Sequence, residues 1–297
     1  MKAITLTLTA LLVAAPAGAQ PQVTNGALQS LTLGGGFTRA ALDTLAAKSA
    51  TAWVGYAVPA LDGDRRSCCW NGDSAGCCQA CRLEPGGPSG TTFSGINRSG
   101  VVSLESQPLH VLIRLDGGRV DRVRVFSHDC ALDAGGLTVH WLSNVSPTES
   151  VAVLGSLLAA ASSNRLADGA LGALAMHYEP AALERLLTVA KDGATTRLRG
   201  QALFWLAQRA GDKAVGAISD AIASDPETDV KKRAVFALSQ LPRDEGVPLL
   251  IQVARTNTNP AVRKQAMFWL GQTRDPNVLP HSNEPIPRRK LASETAA

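Results

Sequence analysis

Six cysteines are the residues of this 297-residue chain best suited to chemistry, and they stand as Cys68-Cys69, Cys77-Cys78, Cys81 and, well downstream, Cys130. An even number of cysteines fits a disulfide framework if the chain reaches an oxidising compartment. Neighbouring Cα atoms are about 3.8 Å apart, closer than the about 4.4–6.8 Å that a disulfide spans, so neither doublet pairs internally. The pairing among the six stays open. The competing chemistry is a thiolate metal site. Cys78-x-x-Cys81 has zinc-knuckle spacing, and His128 and Cys130 could complete the ligand set, although a zinc ribbon would supply a second similarly spaced pair where this chain has adjacent doublets. A redox-active Cys78/Cys81 pair is a third option, without the alternation of strands and helices that surrounds thioredoxin-type motifs.

Something must hold these cysteines, because residues 62–95 are rich in Gly, Ser, Cys and Pro and lack any regular pattern. The neighbouring elements can be read. Phe37 to Ala50 fits a short helix and Thr51 to Val58 a strand. Leu109–Leu115 and Arg119–Phe126 alternate apolar and polar residues around Asp116-Gly117-Gly118, the signature of a β-hairpin. Thr138–Leu142 adds a strand. At Ser146-Pro147-Thr148-Glu149 the pattern changes to a helix start, with Ser as N-cap, Pro at the first helical position and Glu closing a capping box. The expected organisation is a leader over 1–19, a Cys-rich α+β domain over 20–145, a helical domain over 146–280 and a disordered tail over 281–297.

The helical half repeats itself at a shift of 32 residues. Ala170, Ala202, Ala234 and Ala266 coincide, as do Leu174, Leu206, Leu238 and Leu270, with Leu166, Leu198, Val230 and Val262 four residues before each Ala. A second apolar helix follows in each unit, carried by Val151/Leu154, Leu183/Leu186, Val215/Ile218 and Val247/Leu250. Two-helix units that cannot cover their own apolar stripe stack on their neighbours, and the expected fold is an α-solenoid. Advancing 100° per residue puts Phe204, Phe236 and Phe268 on the side opposite the stripe, with Gln208, Gln240 and Gln272 one turn further along. Two readings of this ladder stay open: an exposed aromatic strip that binds an extended partner, or rings packed in the seam between successive helices with the Gln amides bonding helix ends.

The units resemble the short HEAT-like repeats of the phycobilisome-lyase type, which carry Val-Arg-x-x-Ala-x-x-x-Leu followed by Gly-Asp-Pro. Leu198-Arg199, Val262-Arg263, Gly211-Asp212 and Asp275-Pro276 match that pattern over Val151 to Leu279. The first half, with Trp53-Val54-Gly55-Tyr56 and its cysteine doublets, is similar to the N-terminal region of some exported bacterial HEAT-repeat proteins. The resemblance also raises two activities. Deoxyhypusine hydroxylase binds iron through His-Glu pairs, and none of His110, His128, His140, His177 and His281 is followed by Glu. A lyase activity would need nascent phycobiliproteins, which an exported protein would not meet.

Export is expected because Lys2, the apolar run Ala3–Ala15 and Ala17-Gly18-Ala19 form a signal-peptide pattern, and no later run is long enough to span a bilayer. The expected location is periplasmic or secreted. A net charge of +4 leaves no nucleic-acid footprint. Within the solenoid His177 has no nucleophile constellation around it. The sequence therefore points to a non-catalytic scaffold with no cofactor and a protein partner in the cell envelope. Pro280 and the polar tail cannot continue a helix begun at Asp275, so Met267, Trp269 and Leu270 would need cover, which a second copy of the chain could supply.

Overall fold

The computed structural model describes residues 20–61, 81–84, 108–128, 130–209 and 211–273. By its internal packing the chain divides into one unit ending at Arg185 and another beginning at Leu186.

In the first unit, β1 (Val23–Thr24) and β2 (Ala27–Leu31) lead into α1 (Arg39–Lys48), whose N-cap Thr38 accepts from the Ala41 amide. There follow β3 (Ala52–Pro59), β4 (Pro108–Asp116), β5 (Arg119–Ser127), β6 (Leu132–Asp133) and β7 (Thr138–Leu142). Five strands form one sheet in the order β2-β7-β3-β4-β5, in which β7 runs parallel to both neighbours and β4 antiparallel to both of its own; β1 pairs with β6. The β4–β5 turn is closed by Gly117 and Gly118, both at positive φ (56° and 79°), where a Cβ would be strained.

Both faces of the sheet are covered, so β3 and β4 read as nearly continuous apolar runs. One face packs Trp53, Leu112, Phe126 and Val139 against Leu83, Cys130, Leu132 and Ala134. Gly55 sits there because Leu112 and the Trp141 ring fill the space a Cβ would take, 2.6 and 2.8 Å away. The other face receives helices. α2 (Pro147–Ala159) starts at the full Ser146/Glu149 capping box, and its buried Ser150 hydroxyl pairs with the Tyr56 hydroxyl at 3.0 Å. α3 (Asn164–Met176) lies against β5 so closely that a Cβ at Gly169 would strike the Val123 carbonyl.

α4 (Pro180–Asp192) is followed in the second unit by α5 (Thr196–Arg209), α6 (Asp212–Ser224), α7 (Thr228–Leu238), α8 (Arg243–Thr256) and α9 (Pro260–Thr273). Helices follow one another without a strand from Pro147 to Thr273, and within the second unit they stack as an α-solenoid. In the second unit α5, α7 and α9 pack side by side as the first helices of successive repeats, while α6 and α8 pack between them as second helices. Ala202, Ala234 and Ala266 are all fully buried at these crossings. The small side chain at each register position lets helices approach within the 8–10 Å of ordinary packing. The Asp275–Leu279 segment, where another second helix is expected, lies outside the described residues.

Candidate functional site

Each first helix buries the face that carries Ala and Leu, which leaves the opposite face for Phe204, Phe236 and Phe268. The rings form a continuous aromatic line. Phe204 and Phe236 stack with centroids 6.0 Å apart and planes 3° from parallel. Phe236 meets the Trp269 ring at 4.8 Å, Trp269 meets Phe268 at 5.0 Å, and at the other end Phe204 meets Trp205 at 5.4 Å. Phe204 and Phe236 are half-buried by this stacking, Phe268 is 53% exposed and its neighbour Met267 56% exposed. The ladder thus contains parts of both sequence readings, with rings touching between helices and outer edges reaching solvent. Gln208 is half-buried, Gln240 and Gln272 are exposed, and the Gln240 amide donates to the adjacent Ser239 hydroxyl at 3.1 Å.

Trp269 is a ladder member that residue typing alone does not single out. Its register equivalent Trp205 sits on the inward side of α5, and the bridging position of Trp269 becomes visible only once α7 and α9 are packed. At α9 the Ala–Leu face includes buried Leu270, so the apolar stripe and the ladder meet at this helix.

What keeps the first helices in register is a row of polar staples at the turns. Arg199 donates through Nε and Nη2 to the two Asp225 oxygens, at 2.8 and 3.2 Å, and through Nη1 to the Gly193 carbonyl at 3.0 Å. Asp225 also accepts from the Glu227 amide at 2.8 Å. One repeat later Asn257 occupies the position of Asp225 and accepts from the Asn259 amide at 2.9 Å, while Arg263 donates to the Asn257 carbonyl at 2.8 Å. Lys231, the register equivalent in the middle repeat, reaches the Ala223 carbonyl at 2.9 Å. Asn259 further donates to the Thr228 hydroxyl of the preceding repeat at 3.0 Å. The basic residue after the aliphatic at 198, 230 and 262 is therefore a clamp on the loop before its own helix, because carbonyls at a helix C-terminus attract cations.

Cysteine chemistry belongs to the first unit. Cys81 and Cys130 form a disulfide with Cα atoms 5.8 Å apart. Cys68, Cys69, Cys77 and Cys78 lie outside the described residues, and His128 is exposed. Of the four residues that could form a metal set, two are thus bonded to each other. The short stretch 81–84 is pinned at every residue. The Asp133 amide donates to the Cys81 carbonyl at 2.9 Å, and the Leu83 amide donates to the Asp133 carbonyl at 2.8 Å. Arg124 donates to the Arg82 and Leu83 carbonyls, and Leu83 is fully buried. Glu84 accepts from the Trp53 indole at 2.9 Å and from Arg114 at 2.8 Å. Arg114 also bridges Asp116 at 2.7 Å, and these acidic partners hold its guanidinium above its ordinary range despite partial burial. The contribution of 81–84 could not be anticipated from the cysteine spacing, since its partners lie 30 to 52 residues away.

Among the described residues no three His, Cys, Asp or Glu side chains converge as a metal set. Tyr56 and Ser150 form a buried hydroxyl pair, and burial drives the Tyr56 phenol well above its usual range, which keeps it a neutral hydrogen-bonding group. No described helix is long and apolar enough to cross a membrane.

Residues 215–281 match the family of HEAT repeats. No curated protein matches the sequence. Two solved structures are similar in part. Human deoxyhypusine hydroxylase in complex with glycerol is 22% identical with a TM-score of 0.34, covering 41% of this chain and 42% of its own. The complex of CpcE and CpcF of phycocyanin lyase from Nostoc sp. PCC7120 is 20% identical with a TM-score of 0.34, covering 45% of this chain and 84% of the other. The chain thus spans less than half of the hydroxylase's length.

Proposed function

We propose that this chain is an exported, non-catalytic scaffold whose HEAT-like repeats dock a protein partner in the cell envelope along the aromatic ladder. The observation that carries the reading is the unbroken line from Phe204 through Phe236 and Trp269 to Phe268. Contiguous aromatic surface on a water-facing helix row is a usual mark of an interaction site. Repeat arrays add area linearly, so a ladder that crosses three repeats gives an extended partner several equivalent footholds. Export is supported by the leader pattern and by the Cys81–Cys130 disulfide, a bond that persists in oxidising compartments.

The test is cross-linked affinity capture from the cell envelope with the parent protein and with a Phe204→Ala/Phe236→Ala/Phe268→Ala variant. The parent is expected to retain a defined partner that the variant loses while both keep the same helical circular dichroism. Equal capture by both would overturn the assignment of the ladder, and a partner recovered only as a second copy of this chain would reassign the face to self-association.

A further inference from the structure

The charges that surround the ladder say what kind of partner it takes. On the first helices the positions flanking the phenylalanines carry Lys232, Arg233 and Lys264, against one acid, Asp229, which Lys232 already pairs at 3.0 Å. Arg233 and Lys264 are exposed and make no ion pair among the described residues. Arg233 is placed by its neighbour. Gly200, one turn before Phe204, occupies the register position of Lys232 and Lys264, and the Arg233 stem lies where a Cβ at 200 would be. A side chain at 200 would displace that stem, whereas glycine lets it run across α5 one turn before Phe204. Unpaired cations along an apolar line create a surface that attracts negative charge and selects against positive charge.

Resting on the docking reading above, we infer that the occupant is an extended acidic segment of another protein that carries apolar side chains between its carboxylates. The apolar side chains meet the outer edges of the ring line, while the carboxylates face Arg233 and Lys264. A second copy of this chain would bring the same cations to the face, as would its own Arg288-Arg289-Lys290. Single-stranded nucleic acid binds by stacking bases on open aromatic faces, and the Phe204 and Phe236 faces are stacked on each other.

Fluorescence anisotropy of the full chain with labelled repeat peptides tests this. A Glu-Pro-Leu repeat is expected to bind at least about tenfold more tightly than a Lys-Pro-Leu repeat, with affinity falling as salt rises. An Arg233→Glu/Lys264→Glu variant, with its melting temperature retained, is expected to reverse that preference. Equal binding of the two peptides, no binding of the acidic one, tighter binding of a thymidine oligonucleotide, or a charge-reversed variant that behaves as the parent would each overturn the inference. If the aromatic triple variant loses its envelope partner while the charge-reversed variant keeps it, the acidic segment is wrong and the ladder stands. If both variants keep it, both fail.

Discussion

Arg199 carries three of the contacts that define a repeat boundary, two to Asp225 and one to the Gly193 carbonyl. With side chains 13% and 6% exposed, the pair is nearly dry, and geometry decides its value. Arg199→Lys keeps the charge and loses the planar fork, and is expected to cost about 1–2 kcal/mol in urea unfolding, with Arg199→Ala costing more because Asp225 is left buried with no cation and only the Glu227 amide as donor. In the first unit Glu149 accepts from the Ser146 amide and hydroxyl and from the Phe37 amide, and these bonds hold its carboxyl below the usual range. A carboxyl whose folded pKa is depressed adds stability that is present above its unfolded value, about 4.3, and disappears as pH falls through the lower folded value. Stability measured from pH 6 downward should therefore decline more steeply in the parent than in Glu149→Gln.

Local signals and distant contacts part company at the level of elements. The Ser146 capping box, the Gly117-Gly118 turn and the strand Thr138–Leu142 were legible because each depends on residues within four positions of one another. The 32-residue register was legible because the same residue types recur at a fixed shift, helix after helix. The pinning of Leu83 and Glu84 was not, because Glu84 has no helical or strand pattern of its own and acquires its role only when Arg114 and Trp53 arrive from separate strands. Nor was the packing of α3 on β5 legible: its Gly169 reads as one more small residue in an Ala-rich helix, although it is the point where the helix meets the Val123 backbone. The compositional change falls near Asn144 and the change in packing at Arg185. Two glycine substitutions separate these effects. Gly169→Ala is expected to destabilise by about 1–3 kcal/mol because a backbone carbonyl cannot yield. Gly216→Ala, with nothing within 4 Å of the added carbon in α6, is expected to stabilise by about 0.5–1 kcal/mol. Both are read from thermal unfolding.

Across the molecule, stability is assembled by different means in the two units. The first closes a sheet between two apolar layers and ties residues 49 apart with a disulfide, so a Cys81→Ser/Cys130→Ser variant is expected to lose about 2–4 kcal/mol, seen as loss of the near-ultraviolet signal of buried Trp53 and Trp141 at a lower temperature. The second relies on repetition: each crossing is a small Ala contact and each turn a polar staple, and the outward face remains available for the aromatic line. Docking along that line is the central claim, and site-specific photo-crosslinking addresses it most directly. A photoreactive phenylalanine analogue is placed at Phe268 on the ladder or at Asp220, exposed on α6, in the full chain expressed in cells. A discrete adduct from position 268 and none from position 220 is the predicted result; adducts from 220 alone, or equal labelling from both, would contradict it.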